Sequence, residues 1–185
     1  MFYIKMVLFS CTLVLSAFSY ADYTEPRLYQ PYSHAFYQKD LKIYQTLNGH
    51  CKSQSSKDKR TDAWHCTSEG KHFDPCFKHK YVNKHELVCP VSPWSHKATR
   101  IFTNDVLDSK KNKHLNMSKT SPWAMELTDG THCVAISPAS HLPYKYKCQN
   151  HQYLSGNLLR CKGTWQIYRK DEEGTQIAEV KRAWF

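Results

Sequence analysis

The sequence lacks the short motifs that identify common hydrolases and phosphate-binding proteins. It contains no Gly-x-Ser-x-Gly elbow, no glycine-rich phosphate loop and no His-Glu-x-x-His helix. It also contains no Cys-x-x-Cys and no His-x-x-x-His pair, which are spacings typical of zinc sites. We therefore expect no cofactor and no metal, and a noncatalytic protein more than an enzyme.

Long apolar segments are scarce as well. The run 6–18 has about 13 residues, shorter than the roughly 20 that cross a bilayer. Lys5 precedes this run and small residues end the segment, so 1–21 has the pattern of a cleavable signal peptide. The alternatives are a retained membrane anchor and lipid attachment at Cys11. The sequence predicts a secreted or periplasmic protein that is cleaved near Ala21 and has no transmembrane segment in its mature chain.

Acidic residues are few compared with basic ones. The chain of 185 residues has 16 Asp and Glu against 26 Lys and Arg, a formal net charge of +10. Such a charge favours anionic partners, because long-range attraction raises encounter rates with nucleic acid, anionic lipid and acidic polymers. The alternative interpretation is a solvated surface that keeps an exported protein soluble.

The segment after the leader predicts an arm followed by a helix. Residues 22–32 contain two prolines and no apolar period, which indicates an extended N-terminal arm. Tyr37, Leu41, Tyr44 and Leu47 recur at helical spacing before the stop signal Asn48-Gly49. We expect a short N-terminal helix here, although Ile43 and Tyr44 also suit a strand.

The remainder of the chain is a succession of short segments between turn residues, which predicts strands. Residues 104–122 have almost no apolar content and predict an exposed loop between two halves. Segments 123–127 and 132–136 flank Asp129-Gly130 and predict a β-hairpin. The expected fold class is mainly β (β-rich α+β): one antiparallel sheet domain, 33–185, stapled by disulfides, with a short N-terminal helix.

Seven cysteines follow the leader, an odd number for an exported protein. Their intervals favour three local disulfides, each worth roughly 3 kcal/mol by loop entropy: Cys51 with Cys66, Cys76 with Cys89, and Cys133 with Cys148. Cys148 with Cys161 is equally local, and six cysteines allow 15 pairings. The preferred pairing leaves Cys161 as a free thiol or as the link of a covalent dimer. The weaker alternative is a zinc site with ligands drawn from these residues, which lie close together in the sequence: His65, Cys66, His72, Cys76, His79, His85 and Cys89.

Two groups of residues are candidates for binding. Trp94 and Trp123 each follow a proline at a loop edge, where an exposed ring could stack on a sugar or base, although a structural lid is the alternative. Lys110, Lys111 and Lys113 form a basic cluster in the predicted loop. These five residues are the sequence-based candidates for contact with an anionic polymer or protein surface.

The order of several motifs resembles a family of small exported bacterial proteins with no known activity. The resemblance covers roughly 51–184 and rests on these motifs: Ala63-Trp64-His65-Cys66, Asp74-Pro75-Cys76-Phe77, Val88-Cys89-Pro90, Pro122-Trp123-Ala124-Met125-Glu126-Leu127, Asp129-Gly130-Thr131-His132-Cys133 and 144–148. It supports the three local disulfides. Cys161 and the basic residues around Lys110 depart from the family pattern.

These features together predict an exported basic protein that binds an anionic envelope or host surface without catalysis. The alternative is a small secreted hydrolase, similar to a nuclease, that acts on a polyanion. In that alternative two of the eleven histidines would serve as acid and base, and a lysine would stabilise the developing charge.

Overall fold

A computed structural model describes residues 23–33, 36–37, 41–79 and 85–185; the predicted signal peptide lies outside these residues. The described part contains fifteen strands and two short 3-10 turns, Ser109–Lys111 and Pro138–Ser140, and no α-helix. No helix among these residues is long and apolar enough to span a membrane. The strands are β1 Glu25–Arg27, β2 Tyr32–Ser33, β3 Phe36–Tyr37, β4 Lys42–Asn48, β5 His50–Gln54, β6 Ala63–Ser68, β7 Lys71–Lys78, β8 Glu86–Pro90, β9 Lys97–Phe102, β10 Ala124–Leu127, β11 His132–Ala135, β12 Tyr146–Cys148, β13 Tyr153–Leu159, β14 Trp165–Asp171 and β15 Gly174–Trp184.

The predicted N-terminal helix is wrong where the chain is described, because Lys42–Asn48 forms strand β4. Exposed and half-buried residues alternate along β4, which is the period of a strand lying on a core. The strand pairs in parallel with β9, and a bulge at Tyr44 shifts the register. Pairing with a segment about 55 residues away outweighs the weak local helical pattern. Residues 34–35 and 38–40 of the predicted helix lie outside the described residues.

The first half of the chain forms a six-stranded sheet with the order β4-β9-β8-β7-β6-β5, here called the disulfide sheet. Its two edge strands, β4 and β5, are consecutive and are separated only by Gly49. The Gly49 amide donates to the carbonyl of Phe102 at 2.8 Å, and a Cβ at this position would collide with the carbonyl oxygen of Thr67. Glycine is therefore required where the two edges meet.

The second half forms a closed barrel of six antiparallel strands, β10 to β15, in which each strand pairs with the next. The long strand β15 completes the ring, since it pairs with β14 over its first part and with β10 over its last part. Closure leaves no unpaired edge among these strands. The predicted hairpin around Asp129-Gly130 is confirmed as β10 and β11.

Three apolar clusters stabilise the two halves. One fills the barrel and includes Met125, Tyr146 and Ile167; a second lies inside the disulfide sheet around Trp64 and Leu87. The third, the inter-sheet cluster, joins residues of both halves and of the N-terminal arm: Tyr29, Tyr32, Ala63, Phe77, Trp94, Trp123, Ala124, Val134 and Trp184. The expectation of one antiparallel sheet is therefore wrong, because the chain forms a barrel and a second sheet.

The N-terminal arm lies along the barrel. Strand β1 within the predicted arm 22–32 pairs in parallel with the end of β15. Tyr29 is buried, and its amide donates to the carbonyl of Phe185 at 2.7 Å. Whether both halves fold as a single unit over 33–185 stays a prediction.

Among the described residues there are three disulfides, and they join the pairs that the local intervals favour: Cys51–Cys66, Cys76–Cys89 and Cys133–Cys148. Each bond connects neighbouring antiparallel strands. The sulfur atoms of Cys66, Cys76 and Cys89 lie within 4.8 Å of one another, but all three are oxidised and none is a thiolate ligand. Cys161 is a free, exposed thiol.

Candidate functional site

The two candidate tryptophans lie in the inter-sheet cluster. Trp123 is only 2% exposed and meets Tyr29 edge to face, with ring centroids 5.4 Å apart. Trp94 is half-buried and stacks on His132 at 4.2 Å, with Trp184 edge-on to it. Trp123 therefore presents no ring surface to a ligand, and both residues hold the two halves together.

The three candidate lysines are exposed on the linker between β9 and β10, as predicted from its composition. This linker is nevertheless anchored. Leu107 is buried in the disulfide sheet, and the main chain of Lys113 exchanges hydrogen bonds with the Gln54 side chain. The Lys111 Nζ lies 3.9 Å from the Oδ2 of Asp108. Because the lysines are on the exposed linker and the tryptophans are in the inter-sheet cluster, the structure does not bring the two predicted groups into one site.

A different surface, on the outside of the barrel, combines aromatic rings with lysines. Along 144–148 the side chains alternate: Tyr146 and Cys148 are buried in the barrel, whereas Lys145 and Lys147 are exposed. The strand register places Lys147 opposite Tyr153, and Tyr153 opposite Lys170. Because directly opposite residues of antiparallel strands share one face, Tyr153 lies between two lysines.

Two further tyrosines complete this surface. Tyr144 stacks on Tyr153 with ring centroids 4.7 Å apart, and the Lys170 Nζ lies 5.8 Å from the Tyr144 ring centre. Tyr168, two residues before Lys170, is 45% exposed and lies against Gly156, where a Cβ would come within 3.2 Å of its ring. We call this surface the tyrosine–lysine face: Tyr144, Lys145, Lys147, Tyr153, Tyr168 and Lys170.

The charge of the tyrosine–lysine face is positive. The strand register places Thr175 opposite Lys170 and Ile177 opposite Tyr168, and Glu179 follows opposite Gln166. Asp171, in the neighbouring turn, is engaged by Gln176 at 2.7 Å and lies 3.7 Å from Arg169. Lysine ammonium groups attract anions, and the exposed ring of Tyr168 offers a flat surface for stacking. The six residues of this face can therefore bind an anionic ligand, but they include no acid–base pair.

A second candidate site lies at the Gly49 corner. An open cavity of about 580 Å³ is lined by Asn48, Gly49, His50, Thr67, Ser68, Glu69, Gly70, Phe102 and Asn104. The Nδ1 of His50 is 3.4 Å from the Oδ2 of Asp105, which also accepts hydrogen bonds from the Cys51 amide and the Thr103 hydroxyl. Burial opposes ionisation of Asp105, but these hydrogen bonds outweigh it and lower the pKa of the carboxyl.

Such a carboxylate can orient a histidine as a general base. The cavity nevertheless contains a single histidine and no lysine. The arrangement of two histidines and a lysine that a ribonuclease-like mechanism requires is therefore not assembled there.

Sequence reasoning missed the tyrosine–lysine face. Its local signal in the sequence is that Lys145 and Lys147 alternate with Tyr146 and Cys148. No protein-family model matches the chain, and comparisons with curated proteins and with solved structures find no significant match.

Proposed function

We propose that this protein is an exported, noncatalytic module that binds anionic polymers of an envelope or host surface. The tyrosine–lysine face carries the proposal, because it places Lys147 and Lys170 on either side of an aromatic ring. The two lysines belong to strands separated by one other strand, so their Cα atoms are roughly 10 Å apart. Flexible ammonium groups at this spacing suit successive charges of an extended polyanion.

Export of the protein is part of the same proposal. The pattern of 1–21 supports cleavage of a signal peptide near Ala21. Three disulfides support an oxidising compartment, either extracellular or periplasmic. The proposal also includes membership of the bacterial family that the motifs resemble. It further includes a covalent dimer that forms through the exposed Cys161.

Binding to dextran sulfate, with uncharged dextran as a control, tests the proposal. The K147Q/K170Q variant should lose about thirtyfold in affinity, since each lysine near an anionic surface contributes about 1 kcal/mol. The K110Q/K111Q variant removes the same charge from the linker and should lose less than about threefold. Equal losses of affinity in the two variants would show that binding depends on net charge and not on the tyrosine–lysine face. An affinity that does not fall with added salt would refute the proposal.

A second candidate function, hydrolysis of a polyanion, rests on the contact between His50 and Asp105 beside the cavity. If His50 is a general base, the purified protein cleaves RNA or DNA, and H50Q and D105N lose that cleavage. Absence of cleavage by the wild-type protein would eliminate this candidate and leave the binding proposal intact.

A further inference from the structure

Two histidines lie side by side on the outer face of the disulfide sheet, where the proposed polymer binding does not involve them. His65 belongs to β6 and His72 to β7. Each is next to a residue anchored in the core, since Cys66 is bonded to Cys51 and Phe73 packs against the same cluster. The backbone that carries both imidazoles is therefore held in place.

The two rings are close enough to share one small cation. The Nε2 of His65 lies 3.1 Å from the Nδ1 of His72, and the ring planes differ by only 8°. Metal–imidazole bonds of about 2.0–2.1 Å place two nitrogens of one metal centre roughly 3 Å apart. The observed separation is thus that of two ligands of a single ion.

We propose that His65 and His72 form a two-nitrogen site for a divalent transition ion, Cu²⁺ or Zn²⁺, with water completing the coordination. Neutral imidazole suits these ions, whereas Mg²⁺ requires oxygen ligands. His72 is exposed and His65 is half-buried, so an ion can enter directly from solvent. The site is independent of the proposed polymer binding, because it lies in the other half of the chain.

Metal binding requires both facing nitrogens to offer a lone pair. In the metal-free pair one of these nitrogens carries a proton and donates it to the other. A neutral ring moves this proton to its second nitrogen, so binding to two neutral imidazoles releases no net proton.

Calorimetric titration of the disulfide-intact protein with Cu²⁺, Zn²⁺ and Mg²⁺ tests the site. We expect one Cu²⁺ or Zn²⁺ per chain and no Mg²⁺. H65Q and H72Q should each lose at least about tenfold in affinity, since changes to the outer partners of metal ligands already cost that much. H114Q, which removes an exposed histidine of the linker, should bind as the wild type does.

Electron paramagnetic resonance of the Cu²⁺ form gives a second readout, which does not depend on affinity. Two coordinated imidazole nitrogens are expected in the wild type and one in each single variant. No binding at neutral pH, unchanged affinity in the H65Q/H72Q protein, or an equal loss in H114Q would overturn the proposal. Circular dichroism of each variant checks that the fold is retained.

Discussion

The disulfide sheet and the barrel are β structures of the same strand number that are stabilised in different ways. The buried cluster of the barrel has eleven residues, of which two are cysteines; that of the disulfide sheet has eight, of which four are cysteines. The barrel strands form a complete ring, whereas the edges of the sheet meet only at the Gly49 corner. The barrel is stabilised by hydrogen bonds around the whole ring and by a larger apolar cluster. In the disulfide sheet, two disulfides substitute for part of this hydrogen bonding and apolar packing.

Removing disulfides should have the largest effect and should affect the two halves unequally. Replacing all four sheet cysteines, Cys51, Cys66, Cys76 and Cys89, with alanine should cost about 6 kcal/mol, because each loop contributes about 3 kcal/mol. Cys133→Ala with Cys148→Ala should cost about 3 kcal/mol. Urea denaturation measures the totals, and hydrogen exchange assigns them to β4–β9 or β10–β15. If β4–β9 keep their protection from hydrogen exchange in the variant without the four sheet cysteines, the disulfide sheet does not depend on its disulfides as we expect.

Trp123→Ala should disrupt the junction between the two halves at a cost of about 4 kcal/mol, the usual range for a fully buried aromatic residue. Once this junction is weakened, the halves should unfold in two separate thermal transitions. Trp94→Ala is the matched control and should cost less, because Trp94 is only partly buried. Differential scanning calorimetry distinguishes these results, and a single transition in the Trp123 variant would show that the halves do not unfold independently.

Arg60→Gln should cost about 3 kcal/mol, because it removes a buried guanidinium that donates to two main-chain carbonyls as well as to Asp62. The guanidinium of Arg60 binds Asp62 through two nitrogens, at 2.9 and 2.6 Å. It also donates to the carbonyls of Tyr29 and Phe185, so it links the disulfide sheet to the arm and to the end of the barrel.

The control for this ion pair lies on the barrel. Arg182 contacts Glu126 at 2.9 Å and is one-third exposed. Arg182→Gln should cost less than about 1 kcal/mol, since Arg182 is partly exposed and Lys181, 3.4 Å from Glu126, still compensates this carboxylate. Equal losses of stability in urea denaturation would contradict the distinction between the buried arginine and the partly exposed one.

The smallest expected difference between the halves is a pH dependence of stability that arises from Asp58, which lies in the half that contains the disulfide sheet. Burial raises the pKa of Asp58 from 3.8 to about 7. The positive charges of Arg60 and Lys59 lower this pKa, and the negative charges of Asp62 and Asp74 raise it further. The folded state holds this proton more tightly than the unfolded chain does. The free energy of unfolding should therefore fall as pH rises from about 4 to about 7, by at most about 1.4 kcal/mol per pH unit.

Asp58→Asn should remove this part of the pH dependence and leave the rest unchanged. The measurement is urea denaturation of both proteins at several pH values between about 4 and 8. A wild-type slope that persists in the variant would show that Asp58 is not the group responsible.

Features determined by neighbouring residues could be predicted. Asp129-Gly130 predicted the hairpin, and the short intervals between cysteines favoured the three disulfides that form. The helix predicted from Tyr37, Leu41, Tyr44 and Leu47 is wrong because a short apolar pattern can fit both the period of a helix and the period of a strand. The partner that decides between them, β9, lies far along the chain.

The candidate site was less accessible to sequence reasoning. A tryptophan after a proline indicates a loop edge, but it does not reveal whether another part of the chain covers the ring. Trp123 is covered by Tyr29 and Phe77, which lie 94 and 46 residues before it. Conversely, nothing near Tyr153 indicates that Lys170 is its neighbour across the sheet.

The sequence by itself determined the positive charge, the predominance of strands and the short intervals between cysteines, because these depend on composition and on residues close together in the chain. Only the tertiary structure decided that there are two large sheets beside the small β2–β3 pair, that β15 closes one of them, and that tyrosines and lysines share a face. Strand order and register depend on which distant segments bury each other's apolar sides. The strand order and register that form are those that minimise the free energy of the whole chain, so they cannot be predicted from any single segment.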